Sequence, residues 1–224
     1  MAKQTILYLH GFASSAQSTK ARFFAEKLEA WPDVIYRAVD LNPTPADFEY
    51  ITTTGQIDRL RQYVLDHELG DFQIIGSSYG GLVALHYAHR FGGVRKMLLL
   101  APGVLWLSGG LSEEELTQWE KARALPVHHP RFQNQIAVRY DLQLDGLRYL
   151  EPVPPAAPVL IVHGHADETV PLAHSRMYAA RYPNQVSLVE IHADHDLNDC
   201  LELIWEYAQS FLFHNKVGGE QRAG

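Results

Sequence analysis

A single cysteine, Cys200, stands in the 224-residue sequence, so no intrachain disulfide can form and the core alone has to hold the fold. One cysteine fits a reducing compartment, and a cytoplasmic protein is expected. No apolar run approaches the roughly 18 residues of a membrane span. The opening, MAKQTILYLHGF, lacks the long apolar stretch and the small-residue cleavage site of a signal peptide. No stable membrane insertion is therefore expected. Basic residues are in the minority, 19 Lys and Arg against 26 Asp and Glu, for a net charge of -7. Without a basic stripe to displace phosphate counterions, nucleic acid is not an expected partner. Internal repeats and low-complexity tracts are also missing.

What is present is ordinary for a globular chain, with 46% apolar and 20% charged residues. A chain of this length buries about 70% of its unfolded surface, enough for one domain with room for an insertion.

Six short apolar runs recur: 5–11, 34–42, 72–78, 96–102, 158–164 and 186–192. Most are continuous rather than alternating, which suits strands buried on both faces of a parallel sheet. Helical patterns lie between them, at 17–30, 55–69, 80–91, 172–182 and 198–213. Phe23, Phe24, Leu28 and Trp31 share one face of the first, and Ile57, Leu60, Val64 and Leu65 one face of the second. Gly92 and Gly93 should stop the third. Strand and helix in alternation predict an α/β fold with a mostly parallel, doubly wound sheet of about six strands.

One interval breaks the rhythm. Between Gly103 and Pro158 no core strand is evident, while SEEELTQWEKARAL (112–125) starts as an acidic helix. The expectation is a cap over 104–152 inserted after the fourth strand, with 1–103 and 153–215 forming the core and 216–224 a frayed tail. VPPAAP (153–158) reads as a stiff return linker.

GSSYG (76–80) matches G-x-S-x-G with Ser78 at its centre, following an apolar strand and opening a helix. That context is the nucleophile elbow, where a Cβ at Gly76 or Gly80 would collide across a sharp turn. A glycine-rich strand-to-helix turn without chemistry, or one that cradles a phosphate, is the alternative. Asp167 follows the fifth run and His195 the sixth, in the order Ser, Asp, His of α/β-hydrolases. A serine hydroxyl needs an imidazole to take its proton, and the imidazole needs a carboxylate to fix its tautomer. Asp40, Asp194 and Asp196 are rival acids, and His192 is a rival base. His163, His165, His192 and His195 could converge on a metal. No H-x-x-x-H or H-E-x-x-H pair accompanies them, and neither metal nor cofactor is expected.

The oxyanion hole is expected from the backbone N–H groups of Tyr79 and Phe12, the latter after the first strand. Ser14 and Ser15 read as caps of a helix starting near Ala16. Lys20, Arg22, Arg131 and Arg139 read as isolated surface cations. Trp106, Trp119 and Phe132 are either cap core or the apolar wall of an acyl pocket.

On these residues the sequence resembles the α/β-hydrolase superfamily over 5–213. LYLHGFASSAQSTKA (7–21) with GSSYGG (76–81) is similar to the small bacterial esterases of the YqiA-like family. The resemblance implies hydrolysis of carboxylic esters or acyl thioesters, with Ser78 as nucleophile, Asp167 as acid and His195 as base. The sequence departs from that pattern at 103–152, which is long and charged, so no substrate is carried over. The antiparallel strands that open larger α/β-hydrolases are also absent from the reading. A small-molecule acyl ester or thioester is the expected partner. Acyl transfer, cofactor-free haloperoxidase chemistry, C–C bond hydrolysis and a ligand sensor with little turnover are the other readings of the same residues.

Overall fold

The computed structural model describes residues 3–106 and 110–213. The chain-order strands are β1 (Gln4–Leu9), β2 (Val34–Val39), β3 (Phe72–Ser77), β4 (Val94–Leu100), β5 (Ala124–His129), β6 (Asn134–Arg139), β7 (Val159–Gly164) and β8 (Val186–Ile191). The helices are α1 (Thr19–Glu29), α2 (Pro45–Glu49), α3 (Thr53–Asp66), α4 (Tyr79–Phe91), α5 (Glu113–Ala122), α6 (Asp141–Gly146), α7 (Leu172–Arg181) and α8 (Leu201–Phe213).

Six strands form one sheet in the order β2-β1-β3-β4-β7-β8. Every neighbouring pair is parallel. Central strands β3 and β7 are buried along their whole length. Their continuous apolar runs follow from that, since both faces are covered. Alternate residues feed two separate cores. Ile6, Tyr8, Leu98 and Leu100 pack with Phe24 and Leu28 of α1 and Trp205 of α8. Leu7, Leu9, Ile74 and Leu99 pack on the other face with α3, α4 and Tyr178 of α7. β1 lies between β2 and β3, so the chain reverses direction across the sheet there, and a crevice opens at the strands' C-terminal ends.

Local signals set the helix limits. Ser18, not Ser14 or Ser15, caps α1, its Oγ accepting from the Ala21 N–H at 3.3 Å. Ser15 Oγ instead accepts from the Gln17 N–H inside the preceding turn. Gly92 ends α4 at φ +66°, as its sequence position implies. Leu65 is 50% exposed rather than part of the apolar stripe. Ile57, Leu60 and Val64 keep the helical period, and the next residue rotates about 100° away from it.

The segment between β4 and β7 holds α5, an antiparallel hairpin of β5 and β6, and α6. No strand was legible there because the hairpin stands outside the main sheet and buries one face. Ile136 and Val138 point inward while their neighbours Gln135 and Ala137 are exposed. Ion pairs Arg131–Asp40 and Arg139–Glu49 tie the hairpin to the core. Asp145 of α6 accepts from the Thr54 N–H at 2.7 Å and its hydroxyl at 2.6 Å. The tail expected at 216–224 lies outside the described residues.

Candidate active site

The turn after β3 places Ser78 at φ +51°, ψ −117°. That is strained for a residue with a Cβ, at a cost of about 1–3 kcal/mol. Glycine relieves the crowding around it. A Cβ on Gly76 would come within 2.9 Å of the Gly80 carbonyl oxygen, and one on Gly80 would strike the carbonyls of Leu9 and His10. The turn is pinned by the Ser78 N–H donating to Leu100 O at 2.9 Å and by the Gly103 N–H donating to Ser78 O at 3.1 Å.

Asp167 lies on the loop after β7 and His195 on the loop after β8. The two loops are pressed together, because a Cβ on Gly164 would meet the Ala193 carbonyl. Asp194 Oδ1 accepts from the N–H groups of Asp196 at 3.0 Å and Leu197 at 3.1 Å, which shapes the loop around His195. His195 Nδ1 is 2.7 Å from Asp167 Oδ2, and its Nε2 is 2.9 Å from Ser78 Oγ. A carboxylate only accepts, so Nδ1 carries the proton and Nε2 is left to accept from the serine hydroxyl.

The Asp167 side chain is fully buried. Burial pushes its carboxyl up, but hydrogen bonds from His163, His195 and the Val170 N–H outweigh that and hold it well below the usual carboxylate range. Oδ1 accepts from the N–H groups of Thr169 at 2.9 Å and Val170 at 2.8 Å. His163 Nε2 lies 3.0 Å from Oδ2. No sequence signal gave His163 this place. The sequence offers it only as one of four histidines that could meet. The four do not meet at one point: His163 and His195 both reach Asp167 Oδ2, while the His165 and His192 rings pair with each other 5.2 Å apart. Among the rival acids, Asp40 pairs with Arg131 and sits 3.7 Å from His10.

The loop after β1 runs beside the serine, with a Cβ on Gly11 falling 3.3 Å from Ser78 Cβ. Buried His10 fixes this loop, donating from Nδ1 to Gly11 O at 2.9 Å and accepting at Nε2 from the Leu41 N–H at 3.1 Å. Phe12 comes next, its ring on Phe48 at 5.0 Å. Tyr79 is the first residue of α4, where a main-chain N–H has no partner within the helix. Its side-chain hydroxyl donates to Thr53 Oγ1 at 3.1 Å.

An apolar cavity of about 280 Å³ opens on Ser78. Trp106 and Trp119 line it, together with Leu105, Leu111, Leu125 and Leu142 of the same inserted segment. The sequence pattern does not single out the four leucines. Phe132 does not line it. Its ring sits 4.5 Å from His129 beyond the end of β5 and packs against the core.

A family model described as an uncharacterised protein family, UPF0227, matches residues 5–212. An Arabidopsis thaliana protein named "Probable lysophospholipase BODYGUARD 3" is 34% identical over 108 residues, 45% of this chain. The match spans 22% of that relative's length. Among solved structures, mouse alpha/beta hydrolase domain-containing protein 10 is similar at TM-score 0.76 and 20% identity, over 93% of this chain and 89% of that one. Est1E from Butyrivibrio proteoclasticus, with ferulic acid bound, is similar at TM-score 0.73 and 22% identity, over 95% and 89%. These likenesses are of fold.

Proposed function

From the premise that the chain belongs to the uncharacterised protein family UPF0227, within the α/β-hydrolase superfamily, we propose that it is a serine hydrolase cleaving a carboxylic ester or acyl thioester through an acyl-enzyme on Ser78. One observation carries this reading: Ser78, His195 and Asp167 form an unbroken hydrogen-bonded chain from three distant loops.

His195 Nε2 takes the proton of the Ser78 hydroxyl as Oγ attacks the substrate carbonyl. The tetrahedral oxyanion is held by the N–H groups of Phe12 and Tyr79, each such donor contributing about 3–4 kcal/mol in comparable sites. The intermediate collapses, the C–O or C–S bond breaks, and His195 gives its proton to the departing alcohol or thiol. Water then enters. His195 takes one of its protons, the hydroxide attacks the acyl carbon, and Ser78 leaves with that proton. Asp167 keeps the imidazole in one tautomer and balances its charge in both halves. The inserted segment 104–152 acts as a cap that selects the acyl group through the apolar cavity. The compartment assigned with this reading is the cytoplasm, on the single cysteine of the sequence.

Fluorophosphonate labelling and p-nitrophenyl butyrate turnover test the proposal. Both should vanish in Ser78→Ala while cooperative unfolding is retained. Turnover that survives the substitution refutes it.

A further inference from the structure

Two cavities meet at Ser78, and they differ in chemistry. Among the described residues no charged side chain lines the apolar one. The second, of about 470 Å³, carries Lys20, Arg22 and Arg131 against one lining carboxylate, Asp196. In a chain of net charge -7 this is a local reversal of sign. His195 lines the second cavity and not the first.

The place of His195 decides which half of a substrate goes where. This step rests on the acyl-enzyme reading. The atom that leaves must lie within reach of Nε2 when it collects the proton. The leaving group therefore projects into the second cavity, and the acyl chain fills the apolar one.

We propose that the second cavity selects an alcohol or thiol leaving group that bears an anion, a carboxylate or a phosphate, through Arg22 and Arg131. Arg131 is held in place by Asp40, which occupies its Nη1. A guanidinium has five N–H donors, so one ion pair orients it without exhausting it. Arg22, on the first turn of α1, enters no ion pair among the described residues. Lys20 donates to the main-chain carbonyl of Asp196 at 2.5 Å. Lys20 thus commits a donor to that carbonyl in the field of Asp194 and Asp196. Arg131 keeps donors beyond the one Asp40 takes, and Arg22 has no ion-pair partner among the described residues, so selection is assigned to the two arginines. Ser14, Gln17 and Asn198 add neutral polar groups to the same wall.

The test uses four aryl butyrates with one acyl group and closely matched phenols: the esters of 4-hydroxyphenylacetate, of its neutral amide, of tyramine, and of 4-hydroxybenzylphosphonate. In the wild-type chain kcat/KM for the carboxylate or the phosphonate ester should exceed that of the amide by about tenfold, the worth of one charge-assisted contact, with the tyramine ester slowest. The two anionic arms tell carboxylate from phosphate recognition. Arg22→Gln and Arg131→Gln should each shrink the anion-to-amide ratio, and the pair together should bring it to about one. In the wild type the ratio should also fall as salt rises to about 0.5 M, a reading that needs no variant to fold. Equal turnover of the anionic and amide esters by the wild type, or a preference that survives both substitutions, overturns the proposal. Amide-ester turnover that persists in Ser78→Ala sinks the acyl-enzyme reading instead.

Discussion

His163 Nε2 lies 3.0 Å from Asp167 Oδ2, the same oxygen that His195 reaches at 2.7 Å. His163 is fully buried, its Nδ1 is 2.8 Å from Ser175 Oγ, and its Nε2 is also 3.0 Å from Val170 O. The network assigns the ring proton to Nε2, shared between Asp167 and Val170, while Nδ1 accepts from the serine hydroxyl. On the proposed acyl-enzyme reading His163 is a positioning residue. It sets where the carboxylate stands, and the carboxylate sets where His195 stands. His163→Leu removes the donor and should lower kcat by about ten- to a hundredfold, the scale of an ångström's misplacement. KM should move far less. His163→Gln, which keeps a donor, should recover part of the loss. A parallel fall of kcat in both variants, or a change confined to KM, would remove His163 from this role.

Asp167→Asn keeps the shape but reverses the donor logic at His195 Nδ1. By analogy with other triads kcat should drop about ten-thousandfold. Because hydrogen bonds depress the Asp167 carboxyl in the folded chain, its stabilising contribution is complete above the unfolded carboxylate value and fades as pH falls below about 4. Urea unfolding of wild type and Asp167→Asn across pH 3–7 should show a gap that is full at neutrality and narrows only at the acid end. A constant gap would mean that the carboxylate charge plays no part in stability.

The sheet was legible in the sequence because burial on both faces demands continuous apolar runs, as in FQIIGS and VLIVHG. Ser78 was legible because the elbow requires Gly76 and Gly80 at fixed spacing. His163 was not, since chain position does not say which way a buried ring turns. The hairpin escaped because a strand buried on one face leaves only Ile136 and Val138 as a pattern. Lys20, Arg22 and Arg131 read as separate surface charges until the fold brought the first turn of α1 and the hairpin turn to one cavity. Of the two readings open for Phe132, the structure fits core packing, since it lies against the core and off the apolar cavity; nearness in sequence to Trp106 and Trp119 does not fix which surface a turn residue lines.

Trp106 walls the apolar cavity, its Nε1 donating to Gln143 Oε1 at 3.1 Å, and its indole packs where a Cβ on Gly146 would lie. Trp106→Leu should deepen the cavity and move the optimum of an acyl-chain panel to longer chains, with a loss of stability of about 2–4 kcal/mol from the lost volume. Gly146→Ala should push the indole inward and move the optimum to shorter chains. Shifts in the same direction, or none in either variant, would place the acyl group elsewhere.

His86 on α4 is buried with Nε2 lacking a hydrogen-bond partner among the described residues, and its ring meets Tyr149 edge-on at 4.7 Å. Burial first, then the neighbouring Arg90 and His89, push its pKa down to about 4 from an ordinary value of 6.5. The unfolded chain therefore binds a proton that the folded chain refuses between those values. Stability from the neutral ring is whole above pH 6.5 and is lost as pH falls toward about 4, by about 3 kcal/mol at most. His86→Phe cannot take up that proton and should hold its stability better than wild type over this range, measured by urea unfolding at neutral pH and near pH 4.5. Buried His129, whose pKa is also lowered, remains in the variant and leaves a residual slope. An unchanged slope in His86→Phe would show that this ring is not the group that charges on acid unfolding.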